Sequence, residues 1–275
     1  MAFIRIENVA MRYEARPILS DLSLDIHEGD FVCLLGHTGC GKSTLLRLVL
    51  GSERPSRGRI LINGSEHQRP DQTRGYVPQK YSLFPDRTVL DNITFGCELS
   101  EFSLLSRFTP RFYHRRRELR ARALEFLGRV GLTEADGSKY PAQLSGGMQQ
   151  RVAIAQALMT RPSILLMDEA FSALDPATRE DMQNWIRDLW RETGTTILFV
   201  THNTQEALRM GTRIVVLAKE APDQGSRVRL DLPVPNPCLE EDMPPLVRRL
   251  ESESRPGVSA KSRQAETPAL PRLAS

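Results

Sequence analysis

Leu144-Ser145-Gly146-Gly147-Met148-Gln149-Gln150 decides how this chain reads, because it lies between a glycine-rich loop at 36–43 and a carboxylate pair at Asp168-Glu169. The loop, Gly36-His37-Thr38-Gly39-Cys40-Gly41-Lys42-Ser43, fits G-x-x-x-x-G-K-[ST] at every fixed position. The apolar run Phe31-Val32-Cys33-Leu34-Leu35 precedes it, and leucines at 45, 46, 48 and 50 follow in a helical pattern. A buried strand entering and a helix leaving are what a phosphate cradle requires. Glycines let backbone N–H groups wrap phosphates with no Cβ in the way, and the helix N-terminus adds partial positive charge. In this reading Lys42 reaches the β- and γ-phosphates of a nucleotide, the Ser43 hydroxyl ligates Mg2+, and Thr44 helps to hold the α-phosphate.

Ser163-Ile164-Leu165-Leu166-Met167-Asp168-Glu169 supplies the other half of such a site, an apolar strand ending in two acids. Successive strand residues face opposite sides, so the two carboxylates are expected to do different jobs. Asp168 is assigned to the Mg2+ shell and Glu169 to the attacking water as general base.

With these pieces in order, residues 3 to about 218 resemble the ATP-binding subunit of ABC transporters. The resemblance implies a role for each remaining motif. Tyr13 stands where the family stacks an aromatic ring on adenine. Gln79, in Tyr76-Val77-Pro78-Gln79, matches the glutamine that touches Mg2+ and the attacking water and joins two subdomains. Ser145, Gly146 and Gly147 match the signature that caps the γ-phosphate of ATP held by a second copy. Asp175, in Ser172-Ala173-Leu174-Asp175, matches the acid beside that contact, and His202, after Val200-Thr201, matches the histidine that holds the γ-phosphate. Taken alone, Tyr13 reads as a core or turn residue, Gln79 as a turn residue after proline and His202 as a strand cap; their roles rest on the resemblance.

The implied fold class is α/β: a P-loop NTPase cassette with a RecA-like mixed-sheet core, an ABC-specific β region and an inserted α-helical subdomain. We place the nucleotide-binding domain at 1–218, its helical subdomain at about 81–160, and a C-terminal extension at 219–275. Periodicity predicts helices at 147–158, 176–191 and 204–209, strands at 163–168, 195–200 and 213–218, and a short amphipathic helix at 245–253. Composition predicts disorder from Ser254 to Ser275.

Tyr140-Pro141-Ala142-Gln143, Leu189-Trp190-Arg191-Glu192-Thr193-Gly194-Thr195-Thr196 and Asp231-Leu232-Pro233-Val234-Pro235 look like the nitrate, sulfonate and taurine importer group. That resemblance implies uptake of a small nitrogen- or sulfur-containing solute with ATP and Mg2+. It also implies a second cassette closing head to tail, two membrane-spanning permease subunits, and a solute-binding protein acting indirectly. Ala170, Asn203 and Gln156 depart from common family residues without removing a catalytic atom, and the stretch from Phe102 to Phe112 looks like an insertion.

The 275 residues, 40% hydrophobic and 26% charged, suit a soluble globular chain. No run approaches the roughly 18 to 20 apolar residues of a membrane span, and the acid in Met1-Ala2-Phe3-Ile4-Arg5-Ile6-Glu7 argues against a secretory signal. The expected location is the cytoplasmic face of the cell membrane. A net charge of +3 is too small to argue for nucleic acid. Cys33, Cys40, Cys97 and Cys238 form no C-x-x-C pair and read as reduced thiols; alkylation of Cys40, inside the loop, is expected to block nucleotide. Arg107, Arg111, Arg115, Arg116, Arg117, Arg120 and Arg122, interleaved with aromatics, read first as a solvated helix face, next as a surface for anionic headgroups or a membrane subunit, and last as one for RNA. The alternative function is a soluble ATPase of the same fold acting on DNA, ribosomes or iron–sulfur assembly. The paired cassettes, long coiled-coil insertion or zinc-binding cysteines typical of such relatives are not in this sequence.

Overall fold

Two sheets share the chain, as seen in a computed structural model that describes residues 2–66, 69–80, 82–102, 109–221, 223–235 and 243–254. β1 (Ile4–Tyr13) and β2 (Arg16–Ile26) pair antiparallel. Their alternation of buried and exposed positions is that of a sheet with one covered face. β3 (Phe31–Leu35) runs into the glycine loop, and α1 (Lys42–Leu50) leaves it. β4 (Arg57–Ile62) and the two-residue β5 (Ser65–Glu66) complete a four-stranded sheet in the order β2-β1-β4-β5.

β6 (Arg74–Val77) is followed by three helices, α2 (Val89–Glu101), α3 (Pro110–Arg129) and α4 (Gly146–Met159). The chain then alternates: β7 (Ile164–Asp168), α5 (Pro176–Thr193), β8 (Thr196–Val200), α6 (Thr204–Met210), β9 (Arg213–Ala218), β10 (Arg227–Pro233) and α7 (Met243–Ser254). The second sheet has six strands in the order β10-β9-β3-β8-β7-β6, parallel from β9 to β6, with β10 antiparallel at the edge. β3, β7 and β8 are buried at every position, as strands covered on both faces must be.

Period two sorts the strand side chains into two cores. Val32, Leu34, Ile164, Leu166, Leu198 and Val200 pack with α1 and the four-stranded sheet. Cys33, Leu35, Leu165, Met167, Ile197 and Phe199 pack toward α2 to α6. Every parallel strand thus hands its C-terminal end to a loop fixed from both sides.

The helices and strands fall within two residues of the expected limits, but the sheet does not stop at residue 218. β10 joins β9 from Arg227 opposite Ala218 to Pro233 opposite Arg213. Its burial is slight, and a proline is tolerated because an edge strand need not donate on its outer side. α7 then packs on α6 and β9, with Leu250 fully buried and Glu253 3.2 Å from Arg229. The expected tail beyond Ser254, the middle of the Phe102–Phe112 stretch with Arg107, and Cys238 lie outside the described residues.

The arginine run is largely paired. Arg115 holds Glu101 at 2.7 Å and Glu118 at 2.7 Å; Arg116 holds Asp91 at 3.0 Å and Glu98 at 3.2 Å; Arg120 reaches Asp91 at 2.8 Å. Arg122 donates to the Met159 carbonyl at 2.8 Å, tying α3 to α4. Much of this charge therefore braces the helical unit, and Arg111 and Arg117 are left exposed on α3. Among the described residues no helix is long and apolar enough to cross a membrane.

Candidate functional site

The glycine loop closes where sequence and backbone agree. Gly36 has φ 148°, and a Cβ there would lie 2.3 Å from the Leu217 carbonyl oxygen. Gly41, at φ 97°, forms the left-handed entry to α1, so the first turn of that helix points its N–H groups into the loop. Lys42 is buried and donates to the carbonyls of Gly36 at 2.7 Å and His37 at 3.1 Å. Burial, with Lys42 and Lys219 nearby, lowers the His37 imidazole below its ordinary range. Thr38 and Gly39 are exposed at the rim, and Thr44 is buried, its hydroxyl accepting from Arg47 at 3.3 Å.

Asp168 at the end of β7 and Glu169 just beyond it take separate partners, but because Glu169 has left the strand, not by strand alternation. The Asp168 carboxylate accepts from the Ser43 hydroxyl at 3.0 Å. Burial pushes its pKa up; the Ser43 hydrogen bond and the charges of Arg47 and Lys42 pull the other way. Glu169 leaves the strand at φ 48°, in the left-handed region rare for a residue with a side chain. Its Oε2 accepts from Gln79 Nε2 at 3.0 Å and lies 3.5 Å from His202 Nδ1. Gln79 follows β6 through Pro78, whose carbonyl accepts from Gln150 of α4 at 3.3 Å. Lys42, Ser43, Asp168, Glu169, Gln79 and His202 therefore gather at the ends of β3, β6, β7 and β8.

Ser43 and Asp168 fit Mg2+, a hard cation that takes one or two protein oxygens and fills its shell with phosphate oxygens and water. Among the described residues no group of three His, Cys, Asp or Glu side chains could hold a metal unaided.

Other expected residues stand elsewhere. Tyr13, 40% exposed, has its hydroxyl held by Glu53 and by Arg47 at 3.1 Å, which fixes the ring near the end of α1. Ser145 caps α4 by accepting from the Met148 N–H at 3.3 Å, and Gly147 packs close to the Ala173 carbonyl and Leu174. Asp175 caps α5 by accepting from Thr178 N–H at 3.0 Å, and this hydrogen bond lowers its pKa. Among the described residues no hydrogen bond joins Ser145, Gly146, Gly147 or Asp175 to the phosphate loop; Ser145 and Asp175 are exposed, and Gly146 and Gly147 are partly so. The Cys40 thiol is fully buried, and desolvation raises its pKa.

Some residues around the site have no motif to announce them. Glu53 and Arg47, which anchor Tyr13 and pair with each other at 2.6 Å, are of this kind. Val247, Glu251 and Ser254 of α7 line a cleft of about 700 Å³ with Gly36, His37, Thr38 and His202. Glu206 is another: the reading of the sequence did not single it out, although it follows the α6 cap Asn203 by three residues, a spacing that marks a helix start.

Comparison with known proteins fits this geometry. The family description "ABC transporter" matches residues 19–172. The sulfate/thiosulfate import ATP-binding protein CysA of Mesorhizobium japonicum is 43% identical over 78% of this chain and 61% of its own length. The taurine import ATP-binding protein TauB of Rhizobium johnstonii is 44% identical over 78% of this chain and 76% of its own. The chain thus spans about three fifths of the sulfate-type relatives. A dimeric ATP-binding cassette in a post-hydrolysis state with ADP and Pi aligns with TM-score 0.72 and 29% identity, covering 84% of this chain and 99% of that one. A second dimeric structure, of a bacterial ABC transporter cassette, aligns with TM-score 0.73 and 31% identity over the same shares. In fold, in motif order and in sequence, this chain belongs to the ABC transporter family as an ATP-binding cassette.

Proposed function

We propose that this chain hydrolyses ATP to drive a membrane importer for a small oxyanion, of the sulfonate or sulfate kind. The observation that carries the catalytic half is the convergence of Gln79 and His202 on one oxygen of Glu169, beside the Ser43–Asp168 pair. Glu169 takes a proton from water, the water oxygen attacks the γ-phosphorus, and the bond to the β-phosphate oxygen breaks to leave ADP and phosphate. Lys42 turns from its loop carbonyls to the β- and γ-phosphates, and the 36–43 backbone wraps them. Mg2+, when bound by Ser43 and Asp168 and approached by Gln79, supplies Lewis-acid polarisation of the phosphoryl oxygens. His202 holds the γ-phosphate, and Tyr13 stacks on adenine.

Ser145, Gly146, Gly147 and Asp175 serve a second copy of the chain. Two cassettes close head to tail over two ATP, dimeric relatives of like fold supporting this. Binding drives closure and hydrolysis releases it, while Gln79 carries the motion to two permease subunits at the cytoplasmic membrane face. The solute class rests on relatives named for taurine and for sulfate or thiosulfate import, together with the resemblance of 140–143, 189–196 and 231–235 to the nitrate, sulfonate and taurine importer group. The arrangement of 1–218 as the nucleotide-binding domain, with 81–160 as its helical subdomain, belongs to the same reading.

The test is Mg2+-ATP hydrolysis with and without a candidate permease in liposomes, with a candidate binding protein loaded by taurine, sulfate or nitrate. Stimulation by one solute, abolished by Glu169→Gln, supports the importer and names its cargo. Equal silence of wild type and variant returns the reading to a soluble ATPase or a nucleotide-binding scaffold.

A further inference from the structure

His202 is largely exposed, yet the residues on both sides of it are tightly held. Thr201, 2% exposed, donates its hydroxyl to the Glu206 carboxylate, and its Oγ1 accepts from the Asn203 N–H at 3.0 Å. Asn203 in turn caps α6 by accepting the Glu206 N–H at 3.1 Å. The other Glu206 oxygen accepts from Gln183 Nε2 at 2.6 Å.

Gln183 lies on α5, one turn beyond Arg179 and on the same face. Arg179 donates to the carbonyls of Phe171 at 3.2 Å and Leu174 at 2.8 Å, in the loop that follows Glu169. One helix therefore grips the loop behind Glu169 with one side chain and the loop around His202 with the next. Glu206 is the acceptor through which the second grip is made. Burial pushes this carboxyl up, with Thr201, Gln183, Arg179 and His202 opposing the shift, and no step of hydrolysis uses it.

We infer that Glu206 is a positioning residue: through Thr201 and Asn203 it fixes the loop that presents His202, and through Gln183 it sets that loop against α5 and hence against Glu169. The inference rests on the ATPase reading above for its consequence in turnover, but not for its structural content. An imidazole free to swing loses the geometry required of a γ-phosphate contact, and misplacement by about 1 Å costs on the order of 100-fold in rate.

The experiment uses the full chain and MgATP. Glu206→Ala is expected to lower kcat by roughly 10- to 100-fold with KM changed less than about threefold. In a His202→Ala background the same substitution is expected to cost less than about twofold, because its effect is already gone. Hydrogen exchange is followed on the same proteins, and Glu206→Ala is expected to speed it at amides 202–206 while leaving the sheet unchanged. Wild-type kcat in Glu206→Ala, or an undiminished loss in the His202→Ala background, overturns the inference. Where wild type hydrolyses no more ATP than Glu169→Gln, the ATPase reading falls. Exchange at 202–206 then decides the inference alone: faster exchange upholds the brace and unchanged exchange removes it.

Discussion

Between α2 and α3 the charges find each other, whereas around the glycine loop they are kept apart. Arg115, Arg116 and Arg120 meet Glu101, Glu118, Asp91 and Glu98 directly. In the site, Lys42 is satisfied by two carbonyls and makes no ion pair among the described residues, while Asp168 has a hydroxyl and Glu169 an amide and an imidazole. Neutral partners are weak competitors for a phosphate or a cation, so the site retains charge for its ligand. In the helical unit Arg115, Arg116 and Arg120 are taken up by neighbouring acids, while Arg111 and Arg117 stay exposed. Charge density in sequence does not distinguish the two; the partners do.

Removing the base from the unpaired cluster should have the largest effect. Glu169→Gln keeps the shape of the side chain but takes no proton, so kcat is expected to fall by about 10² to 10⁴ while MgATP still binds. Phosphate release and nucleotide binding on one preparation check this; a variant that still turns over places the base elsewhere. In the paired cluster, Arg116→Gln leaves Glu98, 5% exposed, without its cation and is expected to cost about 1–3 kcal/mol. Arg115→Gln, whose ion pairs are more exposed, is expected to cost less than about 1 kcal/mol. Urea unfolding of the two variants separates them, and equal losses would erase the distinction between brace and surface.

The two clusters should also differ in their response to pH. Asp168 has a pKa raised in the folded state, so its stabilising contribution is present below the unfolded carboxylate range and is lost as pH rises through the folded value. At neutral pH its ionised form strains the fold in the absence of ligand. Asp168→Asn is therefore expected to raise Tm without nucleotide near pH 7 and to lose the further gain that MgATP gives wild type. A lower Tm in the variant would mean that the acid supports the fold. The smallest effect belongs to Arg117, exposed on α3 with no ion pair among the described residues. Arg117→Gln is expected to change stability by less than about 0.5 kcal/mol, and anionic-vesicle binding by Arg117→Gln against Arg115→Gln would show whether any of this helix is left for lipid.

Local chemistry made much of this molecule legible. The glycine loop, the apolar strands ending at Leu35, Asp168 and Val200, and the helix starts after Ser145 and Asp175 follow from residue type and spacing, because backbone sterics and hydrogen bonding act over a few residues. β10 was missed although Val228, Leu230 and Leu232 alternate with Arg227, Arg229 and Asp231 in the pattern of a half-buried strand. The prolines at 233, 235 and 237 give the segment the look of a tail, and the open edge of β9 is what it pairs with. The burial of Cys40 was likewise decided by packing around the loop, not by the loop's own sequence.

By itself the sequence determined the fold class, the order of the phosphate-site motifs and the identity of the groups able to do the chemistry. Only the tertiary structure decided which charges are neutralised, that Gln79 and His202 meet on one Glu169 oxygen, and that Gln183 and Glu206 bind α5 to the histidine loop. Gln79 and Glu169 are 90 positions apart in the chain, and Gln183 and Glu206 are 23 apart. No local propensity encodes the distance across which a side chain will find its partner.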